Sequence, residues 1–255
     1  MKPLLELESV SYAYHSLSGE TPALNNISFD VKEGEFIAIV GPSGCGKSTL
    51  LSLIAGLISP ETGDIKINGT DVANARASIG YMLQRDHLFE WRSIYKNVIL
   101  GLEIQKKLTK EYLDTVDEML VNYGLETFKD KRPSELSGGM RQRAALIRTL
   151  ALKPSILLLD EPFSALDYQT RLTVSDDIGC IIKKEKKTAI LVTHDLSEAI
   201  SLGDKVIVLS KRPATIKTIF SIEFALENKT PLACRNAPEF KDYFNAIWKE
   251  LNYHE

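Results

Sequence analysis

Nearly continuous apolar runs recur in the second half of the chain. They occupy residues 156–160, 188–193 and 205–209, and segments with helical patterns separate them. A strand that is buried on both faces of a parallel sheet has this composition, because helices cover the sheet on both sides. These runs therefore predict the parallel sheet of an α/β fold.

A second group of apolar segments lies toward the start of the chain. Turn-forming residues such as Asn68 and Gly69 follow the last of them. The predicted strands of this group are residues 4–10, 27–31 and 36–40, and residues 64–69 are predicted to form a further strand with its turn. We expect them to form a mostly antiparallel edge of the fold.

The segment from residue 93 to 136 has no strong strand pattern. Its apolar residues recur at helical spacing, at Leu113, Val116, Met119, Leu120 and Tyr123. This segment predicts an inserted helical subdomain, and such inserts usually carry specificity or contacts.

Further helices are predicted on either side of the apolar runs. Residues 141–152 form one helix, which ends at the Lys153-Pro154 pair. Residues 172–182 form another, and we interpret the lysine-rich run 183–187 as its solvated end. Beyond Ser210, we expect a strand over 215–220 and a last helix through Phe240, Phe244, Ile247 and Leu251.

One predicted strand-to-helix junction carries a phosphate-binding pattern. Residues 41–48 match G-x-x-x-x-G-K-[ST] between the apolar runs 36–40 and 50–55. Backbone N–H groups of such a loop, with the positive end of the helix, bind phosphate oxygens. An ordinary tight turn has no need of Lys47 followed by two hydroxyls. The predicted phosphate loop consists of Gly41, Pro42, Ser43, Gly44, Cys45, Gly46, Lys47, Ser48 and Thr49.

The sequence offers candidate residues for each task of phosphoryl transfer: neutralising the phosphates, holding the metal and activating the attacking water. Lys47 can neutralise the β- and γ-phosphates, and Ser48 can bind Mg²⁺ through its hydroxyl. Asp160, at the end of an apolar run, can hold the outer shell of the metal. Glu161 leaves the strand in a different direction and is the candidate to orient or deprotonate the attacking water. The expected cofactors are ATP and Mg²⁺.

Composition excludes several classes of protein. A chain of 255 residues with net charge −3 can bury a large core without metal or disulfide support, and its mixed charges form no basic stripe for nucleic acid. The three cysteines, Cys45, Cys180 and Cys234, are far apart and odd in number, which argues against a disulfide framework or zinc site and fits a reducing cytoplasm. Nor does any apolar run approach about 18 residues, so we expect membrane association only through a partner.

The chain resembles the ATPase subunit of an ATP-binding cassette (ABC) transporter over nearly its whole length. Residues 136–140, Leu-Ser-Gly-Gly-Met, match the signature of that family, and Ser-Ala-Leu-Asp at 164–167 matches its segment after the acidic strand. His194 matches its switch histidine, Gln84 its linking glutamine and Tyr14 its adenine-stacking aromatic, with Tyr12 as the alternative stacker. The resemblance implies a P-loop NTPase (RecA-like) core with an antiparallel β subdomain and an inserted α-helical subdomain.

The resemblance also implies how the site works. Two cassettes would face each other head to tail as a homodimer, with Ser137, Gly138 and Gly139 of one closing over the nucleotide of the other. Asp167 would act at the same junction, although alone it is a helix cap. His194 would sense the γ-phosphate. Gln84 would join the metal site to the membrane subunit.

The implied organisation is one ABC ATPase domain over residues 1–255. Residues 1–85 would form the nucleotide-binding core with the antiparallel subdomain, and residues 86–137 the helical subdomain. Residues 138–210 would complete the core, and residues 211–255 would form a C-terminal extension.

Several segments are similar to one branch of the family, the importers of nitrate, sulfonate and taurine. They are residues 88–91, 140–143, 168–171 and 209–213. Many members have Leu-Pro-Trp where this chain has Phe89-Glu90-Trp91, so the docking surface is expected to differ. The implied partners are two transmembrane permease subunits and, indirectly, an extracytoplasmic solute-binding protein. The chain would lie peripherally on the cytoplasmic face of the cell membrane.

Two alternatives remain open at this point. A soluble ABC ATPase that assembles or remodels a cytosolic complex would have a similar length and helical insert, although the Trp91 region favours transport. A degenerate cassette would bind ATP without hydrolysing it, but both Glu161 and His194 are present.

Overall fold

The computed structural model of the protein describes residues 3–17, 19–75, 78–227 and 229–252. Its strands are β1 (Leu5–Ser16), β2 (Gly19–Val31), β3 (Phe36–Val40), β4 (Thr62–Ile67), β5 (Thr70–Asp71), β6 (Ile79–Met82), β7 (Ile156–Asp160), β8 (Thr188–Val192), β9 (Lys205–Leu209) and β10 (Ile216–Ser221). Its helices are α1 (Lys47–Ile54), α2 (Val72–Ala75), α3 (Ile94–Val98), α4 (Leu100–Ile104), α5 (Lys110–Asn122), α6 (Gly138–Leu150), α7 (Tyr168–Lys184), α8 (Leu196–Leu202), α9 (Pro231–Asn236) and α10 (Pro238–Asn252).

In the described part of the chain, the central sheet has the strand order β10-β9-β3-β8-β7-β6. Its strands pair in parallel except β10, which runs antiparallel to β9. Every side chain of β3 and β8 is buried, as the continuous apolar runs predict for strands covered on both faces. The predicted α/β fold with a parallel sheet is therefore confirmed.

The expectation that residues 36–40 belong to the antiparallel edge is wrong. This strand, β3, lies inside the parallel sheet between β8 and β9. The physical reason is its burial, because five successive apolar side chains can be covered only where helices pack on both faces.

The antiparallel sheet has the order β2-β1-β4-β5. Strands β1 and β2 are longer than predicted and pair as a hairpin from Leu5 opposite Val31 to Ser16 opposite Gly19. The last three residues of β1, from Tyr14 to Ser16, are exposed, so no pattern of buried apolar residues marks this end of the strand.

The predicted helical insert is present. Residues 93–136 contain α3, α4, α5 and two short 3₁₀ turns, Glu126–Phe128 and Pro133–Glu135. On α5, Val116, Met119 and Leu120 are buried and belong to the same apolar cluster as Leu146 and Ile147 of α6. The insert is thereby packed on α6, the helix that begins within the signature segment.

Helices α6 and α7 begin earlier than the apolar pattern predicts. Helix α6 starts at Gly138 because the Ser137 side chain caps it, and α7 starts at Tyr168 because Asp167 caps it. The lysine-rich run lies at the end of α7, as interpreted from the sequence. Strand β10 and helix α10 match the predicted C-terminal elements within a residue or two, whereas α9 was not predicted.

Candidate nucleotide site

The phosphate loop joins the end of β3 to the start of α1. Gly44 and Gly46 have φ values of +72° and +121°, which residues other than glycine rarely adopt. A Cβ on Gly46 would lie 2.9 Å from Cδ2 of Leu24, so a larger residue would also clash with β2. These two glycines allow the loop to curl against β2 and to begin α1 at Lys47.

Lys47 is held by the loop itself. Its side chain is buried, and Nζ donates to the carbonyl oxygens of Gly41 at 2.9 Å and Pro42 at 3.0 Å. Beside it lies a cleft of about 190 Å³ lined by Tyr14, Ala23, Ser43, Gly44, Gly46, Lys47, Ser48, Thr49, Glu161 and Arg212. The cleft thus brings most predicted phosphate-loop residues together with Glu161 and Tyr14.

Ser48 and Asp160 meet at one side of the phosphate loop. The Ser48 hydroxyl donates to Oδ1 of Asp160 at 3.1 Å, and the Tyr81 hydroxyl of β6 donates to Oδ2 at 3.4 Å. Burial raises the pKa of the Asp160 carboxyl, and the neighbouring charge of Glu161 adds to the rise. Burial likewise raises the pKa of Tyr81 to about 12.

This pair of oxygens fits Mg²⁺. The ion prefers hard oxygen ligands and takes one or two from the protein, with substrate phosphates and waters completing its shell. Within the described residues there is no cluster of three or more His, Cys, Asp or Glu side chains that could hold a metal alone. Ser48 and Asp160 are therefore suited to a metal that arrives with a nucleotide.

Glu161 turns away from strand β7 immediately after Asp160. Its φ is +44°, which redirects the chain, and its N–H donates to the carbonyl of Val192 at 2.9 Å. One oxygen of its carboxylate, Oε2, lies 3.1 Å from Nδ1 of His194. The two side chains are partly exposed at the carboxyl ends of neighbouring parallel strands, so they form a polar pair beside the phosphate loop.

A buried network supports the loop that carries His194. Thr193 Oγ1 donates to Oε2 of Glu198 at 2.6 Å and accepts the N–H of Asp195 at 3.0 Å. Asp195 in turn caps α8 by accepting the N–H groups of Ser197 and Glu198. Burial raises the pKa of Glu198 to about 7. Sequence reasoning missed Glu198, although an Asp cap followed three residues later by Glu resembles a capping box.

Gln84 lies outside the cluster of Ser48 and Asp160. Its Nε2 donates to the Ser164 hydroxyl at 3.3 Å, and that hydroxyl donates to the Glu161 carbonyl at 2.9 Å. Gln84 therefore contacts the loop after β7, and its assignment to the metal stays a prediction.

Tyr14 faces the cleft more openly than the alternative Tyr12. Tyr14 is 44% exposed, and its hydroxyl is 2.9 Å from Oγ1 of Thr49. Tyr12 is partly buried against the core and packs edge to face with Tyr14, with ring centroids 5.0 Å apart. Of the two, Tyr14 is placed to meet a ligand in the cleft. Arg212 lines the same cleft, and sequence reasoning used it only as a mark of the subgroup.

The signature residues lie at a different place. Ser137 accepts the N–H of Met140 at 3.3 Å, and with Gly139, Gln169 and Thr170 it lines an open cleft separate from the one at Lys47. A Cβ on Gly139 would lie 2.6 Å from Cγ2 of Val174, so this glycine lets α6 approach α7 closely.

Asp167 follows the residue that packs on the signature segment, because a Cβ on Gly138 would lie 2.8 Å from Cδ2 of Leu166. Its carboxylate accepts the N–H of Thr170 at 3.0 Å and the hydroxyl of the same residue at 2.6 Å. Gly138 thus packs on the residue before Asp167, and neither Asp167 nor residues 137–139 line the cleft at the phosphate loop.

None of the helices in the described ranges is long and apolar enough to cross a bilayer.

Comparison with known proteins gives consistent matches. The family model "ABC transporter" matches residues 24–164. The uncharacterized ABC transporter ATP-binding protein YtlC of Bacillus subtilis is 49% identical over 97% of this chain and 95% of its own. The taurine import ATP-binding protein TauB of Jannaschia sp. is 42% identical over 82% of this chain and 78% of its own. The nitrate import ATP-binding protein NrtD of Synechocystis sp. is 39% identical over 95% of this chain and 93% of its own.

A solved structure is similar over most of the fold. It is a dimeric post-hydrolysis state of the ATP-binding cassette MJ0796 bound to ADP and Pi. The match has 30% identity and a TM-score of 0.72, and it covers 86% of this chain and 99% of the other.

Proposed function

The chain belongs to the ABC transporter ATP-binding family as an ATP-binding subunit, and from that premise we propose that it hydrolyses ATP to power the import of a small solute. The observation that carries the hydrolysis is the pair of Glu161 and His194 beside the cluster of Ser48 and Asp160. An ATP-binding protein without turnover would have no need of a carboxylate and an imidazole together at the edge of the phosphate site.

In the proposed reaction, Lys47 leaves the carbonyls of its own loop and pairs with the β- and γ-phosphates. Glu161 accepts a proton from the attacking water as the water oxygen bonds to the γ-phosphorus, and the bond from that phosphorus to the bridging oxygen breaks to give ADP and phosphate. His194 orients the Glu161 carboxylate through Nδ1 and contacts the γ-phosphate as its sensor. Tyr14 stacks on the adenine, while the backbone N–H groups of residues 41–49 hold the phosphates.

Ser48 and Asp160 would hold Mg²⁺, with Gln84 completing the link to the membrane subunit. The ion supplies charge neutralisation of the β- and γ-phosphate oxygens. The raised pKa of Asp160 is consistent with this role, since a carboxylate buried without a cation is costly to ionise.

We further propose a head-to-tail homodimer. In one chain, Ser137 and Gly139, at the start of α6, line a cleft that the phosphate loop does not reach, and Gly138 lies between them in sequence. A second copy would bring these donors onto the γ-phosphate held by the first, with Asp167 at the junction. The dimeric state described for the MJ0796 cassette supports this arrangement.

The surface around Trp91 is the proposed docking site for the permease. Trp91 is 74% exposed and packs on Phe89, with the two ring planes tilted by 30° and their centroids 4.7 Å apart. Buried Asn97 holds Phe89 through both backbone groups, and Arg148 donates to the carbonyls of Asp86 and His87. An apolar surface that is held this firmly is suited to a protein partner.

Names of relatives support the class of solute. The matched TauB is a taurine import protein and NrtD a nitrate import protein, so we propose nitrate, taurine, a sulfonate or a related small solute for the transporter of this chain. Two permease subunits and an extracytoplasmic solute-binding protein would handle the solute. The chain itself would lie peripherally on the cytoplasmic face of the membrane.

We propose the following division of the domain. Residues 1–85 and 138–210 would form the nucleotide-binding core with its antiparallel subdomain. Residues 86–137 would form the helical subdomain, and residues 211–255 the C-terminal extension.

The proposal is tested by recovering the tagged chain from its native host with mild detergent. We expect a multi-span permease to co-purify, and Trp91→Ala to reduce its recovery roughly tenfold or more, as for an interface hot spot. Trp248→Ala is the matched control, because Trp248 is 56% exposed on α10, away from this surface.

The ATPase activity of the purified variants serves as the second readout. It should be unchanged in both, since neither tryptophan contacts the nucleotide cleft. Recovery of a cytosolic complex alone would overturn the transport proposal in favour of a remodelling ATPase. Equal permease recovery by Trp91→Ala and Trp248→Ala would reject the docking surface.

A further inference from the structure

Arg212 is anchored beside the nucleotide cleft by the segment that follows β9. This segment returns to pair with β2: the N–H of Ala214 donates to the Ala23 carbonyl at 2.9 Å, and the Ala214 carbonyl accepts the N–H of Asn25 at 2.9 Å. The position of this segment is therefore fixed by backbone hydrogen bonds and does not depend on the Arg212 side chain alone.

The guanidinium of Arg212 is oriented by two further carbonyls. Nε donates to the Pro22 carbonyl at 2.9 Å, and one terminal nitrogen donates to the Thr21 carbonyl at 3.4 Å. Thr21 lies opposite Tyr14 in the β1–β2 register. The arginine is thereby held next to the residue that is proposed to stack on adenine.

The Tyr14 ring is in turn fixed from several directions. The guanidinium carbon of Arg212 lies 5.8 Å from the ring centroid, within the range of a cation–π contact. The Tyr14 hydroxyl meets Thr49 on α1, and Tyr12 packs against the ring. Tyr14 is still 44% exposed and lines the cleft, so a base can reach its ring.

We propose that Arg212 is a positioning residue for the nucleotide base, acting through Tyr14. By holding the ring in place before the nucleotide arrives, Arg212 reduces the freedom that Tyr14 loses on stacking and so increases affinity for nucleotides that carry a base. Arg212 has no role toward the phosphates in this account. The inference rests on the proposed function of Tyr14 and adds a second residue, distant in sequence, to the base site.

The test is calorimetric titration of the full chain with Mg-ADP and with Mg-pyrophosphate, its base-free counterpart. Arg212→Gln keeps a donor near Pro22 but removes the charge, and it should weaken ADP binding about two- to fivefold, the size of an exposed cation–π contact. Pyrophosphate binding should not change. Arg212→Lys should restore part of the affinity, because the cation is kept. Thermal unfolding of each variant checks that the fold is retained.

A double-mutant cycle with Tyr14→Ala separates the possible outcomes. Arg212→Gln should add nothing in the Tyr14→Ala background and should keep its effect in Tyr14→Phe, which retains the ring. Equal weakening of ADP and pyrophosphate, or additive effects with Tyr14→Ala, would overturn the inference. Normal ADP binding by Tyr14→Ala would reject both the base site and the inference. Weakening by Tyr14→Ala with none by Arg212→Gln would reject the inference alone.

Discussion

Two glycine-containing segments of this chain begin helices, but only one of them is surrounded by the groups that hydrolysis needs. Residues 41–49 precede and begin α1, and they share a cleft with Tyr14 and Glu161. Residues 137–139 begin α6, where Ser137 caps the helix and Gly139 packs closely on Val174. The described contacts of this second segment lie with α7 and its cap.

Under the proposed homodimer, these two segments are two unlike halves of one site. The first half is built for a nucleotide, with a buried lysine and a pair of oxygens suited to a cation. The second half offers a serine and helix N–H groups at an open cleft. Two copies arranged head to tail would join each first half to a second half, which a single copy cannot do.

The largest effect is expected where chemistry is assigned to the first half. Glu161→Gln removes the base but keeps the shape of the side chain, so steady-state ATPase activity should fall by about 10²- to 10⁴-fold while ATP still binds. A phosphate-release assay measures the loss, and calorimetry checks binding. Full turnover by this variant would remove Glu161 from its assigned role.

The next largest effect is expected on the binding of Mg-ATP to the first half. Lys47→Ala deletes a charge-assisted contact with the phosphates, so the Kd for Mg-ATP should rise by about 10- to 100-fold. Lys241→Ala, on the exposed side of α10, is the control and should bind normally. Equal affinities of the two variants would mean that residues 41–49 are not the phosphate site.

A substitution at Ser137 can remove the proposed function of the second half while α6 stays folded. Ser137→Asp keeps an N-cap residue for α6 but places a negative charge where the γ-phosphate of the partner's nucleotide would lie. ATP binding by each chain should persist, while ATP-dependent association should weaken by about tenfold or more, because like charges would face each other. Ser137→Asn, a neutral cap, is the matched control. Association of the two variants at the same strength would contradict the role of the second half.

An effect of a different kind, on stability and not on nucleotide binding, is expected behind the first half. Burial raises the pKa of Glu198 to about 7 from 4.5; the charge of Asp195 adds to the rise, while Arg171 and Arg235 oppose it. The folded protein therefore holds this proton more tightly than the unfolded chain does. Its contribution to stability is fully present below pH 4.5 and is lost as the pH rises through about 7.

Glu198→Gln should lose this pH dependence. Between about pH 5 and pH 8, the free energy of unfolding of the variant should rise relative to that of the unchanged protein, by on the order of 2 to 3 kcal/mol at most. The melting temperature of the variant should rise relative to that of the unchanged protein over the same range. Thermal unfolding across this range measures the difference. A constant difference at every pH would show that Glu198 does not titrate in this way.

Much of this comparison follows from local sequence. A strand, a glycine-rich loop and a helix in succession place Lys47 and Ser48 without knowledge of the rest of the fold. The apolar runs likewise locate Asp160 and Glu161 at a strand end. Where the sequence pattern was misleading, as for β3, the sheet to which a strand belongs depends on its burial by distant helices.

Other features depend on contacts that no local pattern encodes. Arg212 donates to Pro22, 190 positions away, and only the pairing of its segment with β2 brings it to Tyr14. The start of α6 and of α7 depends on caps at Ser137 and Asp167, where a polar side chain replaces the apolar signal. Glu198 matters through its burial, which its charge alone would argue against.

The most direct test of the two-halves account is the mass of Glu161→Gln in solution, measured by light scattering with and without saturating Mg-ATP. The account predicts a monomer without nucleotide and a dimer with it, because slow hydrolysis keeps ATP between the halves. The same measurement on the Glu161→Gln and Ser137→Asp double variant should give a monomer that still binds ATP. A Glu161→Gln protein that binds ATP by calorimetry and stays monomeric would contradict the account.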